Sequence, residues 1–155
     1  MKKFAAHYLL TDTGLLLKNG MAVADDSANI QFIDTKGELT ELEQMIYHSG
    51  LLIGNCEFIK TDGLIPTPVE NENPLQLFDS ILNKDQLSLK EVIDLARQFQ
   101  DQFSGMNIPQ ILIKTEQALI DKSYIKRIIP GLYLLSGINL QTLHFTPHSR
   151  LKKIL

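Results

Sequence analysis

Four histidines, a single cysteine and a few paired carboxylates are the side chains from which this chain could build a reaction. His144 and His148 are four residues apart, the spacing that puts two imidazoles on one face of a helix and suits a transition metal. Pro147 lies between them. It has no amide hydrogen and breaks the helix that would align the pair, so the expectation is that they hold no metal. His7 and His48 fall in stretches with strand character, where an imidazole reads as an ordinary strand residue. Cys56 beside Glu57 suggests a thiol site, but a reactive thiolate needs a base or a cation next to it, and the linear sequence places none there. Asp25 and Asp26 belong to a turn, and Glu41 and Glu43 to a polar connection. Neither pair has the apolar setting that raises a carboxyl pKa for acid catalysis. There is no Gly-rich phosphate loop and no Gly-x-Ser-x-Gly elbow. The reading is therefore no catalytic, cofactor-binding or metal-ligating residue. Convergence of His48, Cys56, Glu57, His144 and His148 in space is what would overturn it.

The elements that must carry these side chains follow from hydrophobic pattern and turn chemistry. Lys2 to Leu10 reads as a first strand, closed by the turn Thr11 to Gly14. Leu15 to Lys18 and Met21 to Ala24 flank Asn19-Gly20, a dipeptide that tolerates positive φ and predicts a tight hairpin between the two. A turn from Asp25 to Asn29 leads to strands at Ile30 to Ile33 and Tyr47 to Ile53, so the first third is expected to be a β-meander. Pro66, Pro68 and Pro74 then mark a loop, and Asn73-Pro74 starts a short helix carrying Leu75, Phe78, Ile81 and Leu82 on one face.

Ser88 and Glu91 have the spacing of a capping box, with Leu87 and Val92 as the hydrophobic staple around it. Leu89, Val92, Ile93, Ala96, Phe99 and Phe103 share the face of the helix that follows, and Gly105 supplies a stop. Ile108 to Ile120 mixes strand-favouring and helix-favouring residues, and helix is the preferred reading. Pro130-Gly131 opens an apolar run from Leu132 to Leu135, and Arg150 to Leu155 forms a last strand with one solvated face.

The 155 residues are 44% hydrophobic and 21% charged with a net charge of −3, the profile of an ordinary globular domain. Arg150, Lys152 and Lys153 alternate with apolar residues and do not form a nucleic-acid-binding run. No segment approaches the ~20 apolar residues of a membrane helix. The lone cysteine fits a reducing compartment, and a cytoplasmic protein is expected.

Taken together, the two ends of the chain carry a resemblance. The order of strand, Asn19-Gly20 turn, strand and Gly50-Leu51-Leu52-Ile53-Gly54 is similar to the start of an amidohydrolase, where such a segment leads into the first barrel strand. Pro130-Gly131-Leu132-Tyr133-Leu134-Leu135, Gly137-Ile138-Asn139-Leu140 and the closing Arg150 to Leu155 resemble that superfamily's return into its composite β-domain. Ser88 to Gly105 resembles the late helix before the return, so the similarity covers Met1 to Phe58 and Ser88 to Leu155. The family's His-x-His metal motif does not follow Gly54, where Asn55, Cys56, Glu57 and Phe58 stand instead. A TIM barrel takes ~250 residues, about three times the stretch from Gly54 to Pro130.

The resemblance thus implies a metal-dependent hydrolase's β-domain without the catalytic barrel. The fold expected is α+β and a single domain. Its sheet is built from both termini (1–58 and 130–155) and packed with two or three central helices from an insert at 74–121. The function expected is that of a non-catalytic interaction or assembly protein, with no cofactor, nucleic acid or membrane as partner. It would form a homo-oligomer, a two-fold dimer with the sheet or its edge in the interface, with intact amidohydrolases as further partners. The alternative is a small-molecule-binding protein or a hydrolase with a new site.

Overall fold

The computed structural model describes residues 2–36, 45–61, 84–103 and 105–155. The expected helix after Asn73-Pro74, the proline loop and the Glu41/Glu43 pair lie outside the described residues. In chain order the elements are β1 (Lys2–Leu10), β2 (Leu16–Lys18), β3 (Met21–Ala24), β4 (Ile30–Ile33), β5 (Met45–Lys60), β6 (Gln86–Ser88), α1 (Leu89–Phe99), α2 (Ile108–Asp121), β7 (Tyr124–Ser136) and β8 (Arg150–Lys153). The strands form a mixed sheet in the order β4-β3-β1-β5-β7-β8, with β2 also on β1 and β6 also on β5. The class is α+β, and the sheet draws on both ends of the chain.

Contacts divide the chain into two compact units, Met1–Asn55 with Ile128–Leu155, and Cys56–Arg127. In the first unit the connection between β1 and β2 is the hairpin. Gly14 takes positive φ, and the Thr11 hydroxyl accepts the Leu15 amide at 3.0 Å. Asn19-Gly20 is not a hairpin, because β2 and β3 are both partners of β1 and not of each other. Tyr8 pairs with Lys18 and Ala5 with Met21, so one antiparallel register runs through both strands.

The positive φ of Asn19 is used for a kink inside that line, and its amide donates to the His7 carbonyl at 2.8 Å. Across the kink the core side changes phase, from Phe4 and Ala6 on β1 to Leu9, and from Ala24 and Ala22 to Leu17 opposite. β5 shares the irregularity. It runs parallel to β1, pairing Ala6 with His48 but Tyr8 with Leu51, which leaves one extra residue on β5. Gly50 occupies that bulge at φ 138°, and a Cβ there would lie 2.4 Å from the Leu135 carbonyl oxygen. The parallel return of β5 beside β1 also means that the first third is not a simple meander.

The apolar run after Pro130-Gly131 belongs to β7, which begins at Tyr124 and passes through both residues. The Gly131 amide donates to Ala28 at 2.9 Å, and the Pro130 carbonyl accepts the Asn55 side chain at 3.1 Å.

In the second unit the Ser88–Glu91 capping box is complete, and Leu87 and Val92 are both buried. α1 buries Leu89, Val92, Ile93, Leu95, Ala96 and Phe99, each large side chain worth about 1.5–3 kcal/mol. It ends at the Gln100 cap, before Gly105. Ile108–Asp121 is helical as preferred, and its start is set by a second capping box between Asn107 and Gln110 with Pro109 in the first turn. The two helices pack on each other.

Candidate functional site

Two polar constellations stand out, one in each unit. In the Cys56–Arg127 unit, β5 turns the side chains of Cys56 and Glu57 to opposite faces. Glu57 is opposite Ser88 of β6 and is 6% exposed. Its Oε2 accepts a hydrogen bond from the Gln86 amide, and its Oε1 forms an ion pair with the Arg127 guanidinium. Gln86 reaches the carboxylate because its strand pairs with β5, and Arg127 because β7 lies next to β5 in the sheet. Oε2 is thus hydrogen-bonded, whereas Oε1 is buried and held by charge pairing alone, without a hydrogen bond among the described residues.

Cys56 is 3% exposed, and burial pushes its thiol up to about 11, with Glu116 and Glu57 adding to the rise while Lys126 opposes it. Lys126 does not serve as an activating cation, because its ammonium is paired with Glu116 at 3.0 Å. At neutral pH this cysteine is a small apolar core residue and not a nucleophile.

In the other unit, strand alternation brings Phe4 of β1 and Ile46 and His48 of β5 to the same side of the sheet. They line a cleft of about 440 Å³ whose remaining walls include Lys2, Lys152 and Lys153. Phe4 also belongs to the core cluster, so the cleft is where the core face of the sheet opens to solvent. The register places Ala6 opposite His48, and the small residue leaves room for the imidazole, which stacks on Phe4 with ring centroids 6.1 Å apart. His48 Nε2 is buried and has no hydrogen-bond partner among the described residues. Its pKa lies below the ordinary 6.5, first because burial disfavours the cation and second because Lys152 repels it. Lys2, Lys152 and Lys153 form no salt bridge with any described residue.

The remaining sequence candidates do not join either group. His7 sits on the opposite face of β1 from Phe4 and Ala6; its Nδ1 accepts the Gly50 amide at 3.4 Å, which ties it to the bulge. His144 and His148 lie in the connection between β7 and β8 and not on a helix. The His144 carbonyl accepts the Asn139 amide at 3.0 Å, and the His148 amide donates to the Thr146 hydroxyl at 3.1 Å. Asp25 accepts from the Ser27 and Asn29 amides at 2.9 and 3.0 Å and caps its own turn; the Asn29 bonds hold its carboxyl below the usual range. Among the described residues no group of three or more His, Cys, Asp or Glu side chains could hold a metal ion.

In the sequence Lys152 and Lys153 belong to a strand with one solvated face and Lys2 to the start of the first strand; the strand order that gathers them has no local signal. Among the described residues no helix is long and apolar enough to cross a membrane. No known protein family, curated protein or solved structure matches the chain.

Proposed function

We propose that this chain is a non-catalytic interaction or assembly protein, derived from an amidohydrolase β-domain whose catalytic barrel is missing, and that it works as a homo-oligomer. The single observation that carries the assembly reading is the outer surface of α2. α1 has one apolar face, and its large residues are buried. α2 has two apolar faces. Ile111, Leu112 and Leu119 are buried on one, whereas Ile113 and Ile120, seven residues apart and so on a common stripe, are 52% and 50% exposed. Ile125 in the same unit is 57% exposed. Large apolar side chains left in water at helical spacing mark a surface that another chain covers.

A two-fold homodimer is the commonest way to cover such a stripe. The β8 edge is a poorer interface than α2, since Arg150, Lys152 and Lys153 would face like charges in a self-paired strand. The non-catalytic part rests on the engagement of Glu57 and the high pKa of Cys56. The ancestry rests on the Gly50 to Gly54 segment, the returning β7 and β8 segments and the capped α1, without the Asn19-Gly20 hairpin. Nucleic acid and membranes are not among the proposed partners, and the buried thiol of Cys56 fits the cytoplasm.

Light scattering coupled to size exclusion tests assembly directly. The mass should rise to that of a dimer with concentration and fall to a monomer in Ile113→Asp/Ile120→Asp. A monomer at every concentration sinks the reading.

A further inference from the structure

We infer that the cleft between Phe4, His48 and Lys152 is a binding site for a small amphipathic anion, a carboxylate carried on an apolar chain or ring. This goes beyond the assembly reading and does not depend on it. Three features of the cleft select that chemistry.

The first is charge. Lys2, Lys152 and Lys153 line it together with Leu155 at the end of the chain, no acidic side chain among the described residues does, and none of the three ammonium groups forms a salt bridge with a described residue. Like charges gathered without a salt-bridge partner among the described residues raise the local concentration of anions and favour one that enters. The second is the apolar wall formed by Phe4, Ile46 and Ile154. Ile46 is 52% exposed, so a ligand with an apolar body would remove surface that water now covers. A bare inorganic anion would gain nothing from that wall.

The third is His48, the one polar atom of the cleft that the fold leaves both dry and unpaired at Nε2. A buried polar atom without a partner costs free energy, and a turn of the ring towards the lysines brings Nε2 to the cleft, where a carboxylate oxygen supplies the missing bond. A volume of about 440 Å³ is in the range of small-ligand pockets, too small for a protein segment of any length.

Among the described residues, Lys152 of β8 is the cation whose repulsion reaches His48, and Lys2 of β1, Lys153 of β8 and the chain-terminal Leu155 also line the cleft. Lys152 now helps to hold the imidazole neutral. A bound carboxylate offsets that repulsion and accepts a hydrogen bond best from the imidazolium, so binding takes up a proton at His48 and tightens as pH falls.

Calorimetric and histidine-detected NMR titration of the full chain with octanoate is the test, with acetate, octanol and inorganic phosphate as comparison probes. Octanoate is expected to bind with movement of the His48 ring resonances, and each comparison probe to bind at least about tenfold more weakly. Lys152→Met/Lys153→Met should weaken octanoate about tenfold, and His48→Gln should abolish the proton uptake while keeping a side-chain donor. Octanol binding as well as octanoate would reduce the cleft to an opening in the core and overturn the proposal. Phosphate binding as well as octanoate would overturn the apolar half of it, and absence of octanoate binding to the unaltered protein would overturn it whole. These probe comparisons need no variant to fold.

Discussion

The Glu57 clamp and the His48 cleft are built from similar materials, an ionisable side chain on β5 with cations from elsewhere in the chain, and they have opposite consequences. Glu57 is buried with Oε2 hydrogen-bonded to Gln86 and Oε1, which lacks a hydrogen bond, offset by the opposite charge of Arg127, so its charge is neutralised within the fold. His48 is buried at one atom, its neighbours are cations that repel its charged form, and the site is left with unspent binding capacity. Burial of a polar group does not by itself mark function. What separates the two is the sign of the neighbouring charge, opposite at Glu57 and like at His48 in its protonated form.

That contrast breaks first at Arg127. Replacing Arg127 by Ala removes one of the two partners of a buried carboxylate and should cost about 1–3 kcal/mol in a urea titration, the range for leaving a buried acceptor unmet. The guanidinium is itself 63% exposed, which favours the lower end of that range. An unchanged midpoint would mean that water already serves Oε1, and that Glu57 is no more committed to the fold than His48.

A smaller effect separates the two through pH. The folded pKa of His48 is depressed, so the unfolded state takes up a proton at higher pH than the native state, and stability contributed by the neutral imidazole is lost as pH falls through 6.5. Between about pH 8 and pH 5 the native protein should therefore lose stability more steeply than His48→Gln. Equal slopes would show that the imidazole is freely solvated.

The smallest effect is expected at Lys152. Lys152→Met takes away a charge that has no described counter-charge and that repels His48, so stability should stay within about 0.5 kcal/mol of the native value and the His48 pKa should rise. A loss comparable to that of Arg127→Ala would place Lys152 in a structural ion pair and dissolve the difference between the two regions.

Much of the local structure was legible in the chain because it depends on neighbours a few residues away. The Ser88–Glu91 capping box, the apolar face from Leu89 to Phe99 and the β1 strand are all present where pattern and propensity put them. Asn107-x-x-Gln110 was an equally readable cap, overlooked because the strand-favouring Ile111, Leu112 and Ile113 drew attention to the middle of the segment.

Asn19-Gly20 shows the limit of such signals. The dipeptide does bring positive φ, as its chemistry requires, but whether that φ closes a hairpin or kinks a strand depends on which partner lies alongside. Here β1 runs past both β2 and β3 in one register, and its pairing energy outweighs the local preference to fold back. Pro130-Gly131 is a second case, since a dipeptide of turn-forming residues lies inside β7.

By itself, then, the sequence determined the α+β class, the capped helices and the absence of a familiar catalytic motif, all set by residue type and short spacing. The tertiary structure alone decided that Lys2, His48 and Lys152 line one cleft and that Glu57 meets Gln86 and Arg127. These residues lie far apart along the chain, and the strand order β1-β5-β7-β8 that gathers them is chosen by long-range pairing, for which no local pattern carries a code.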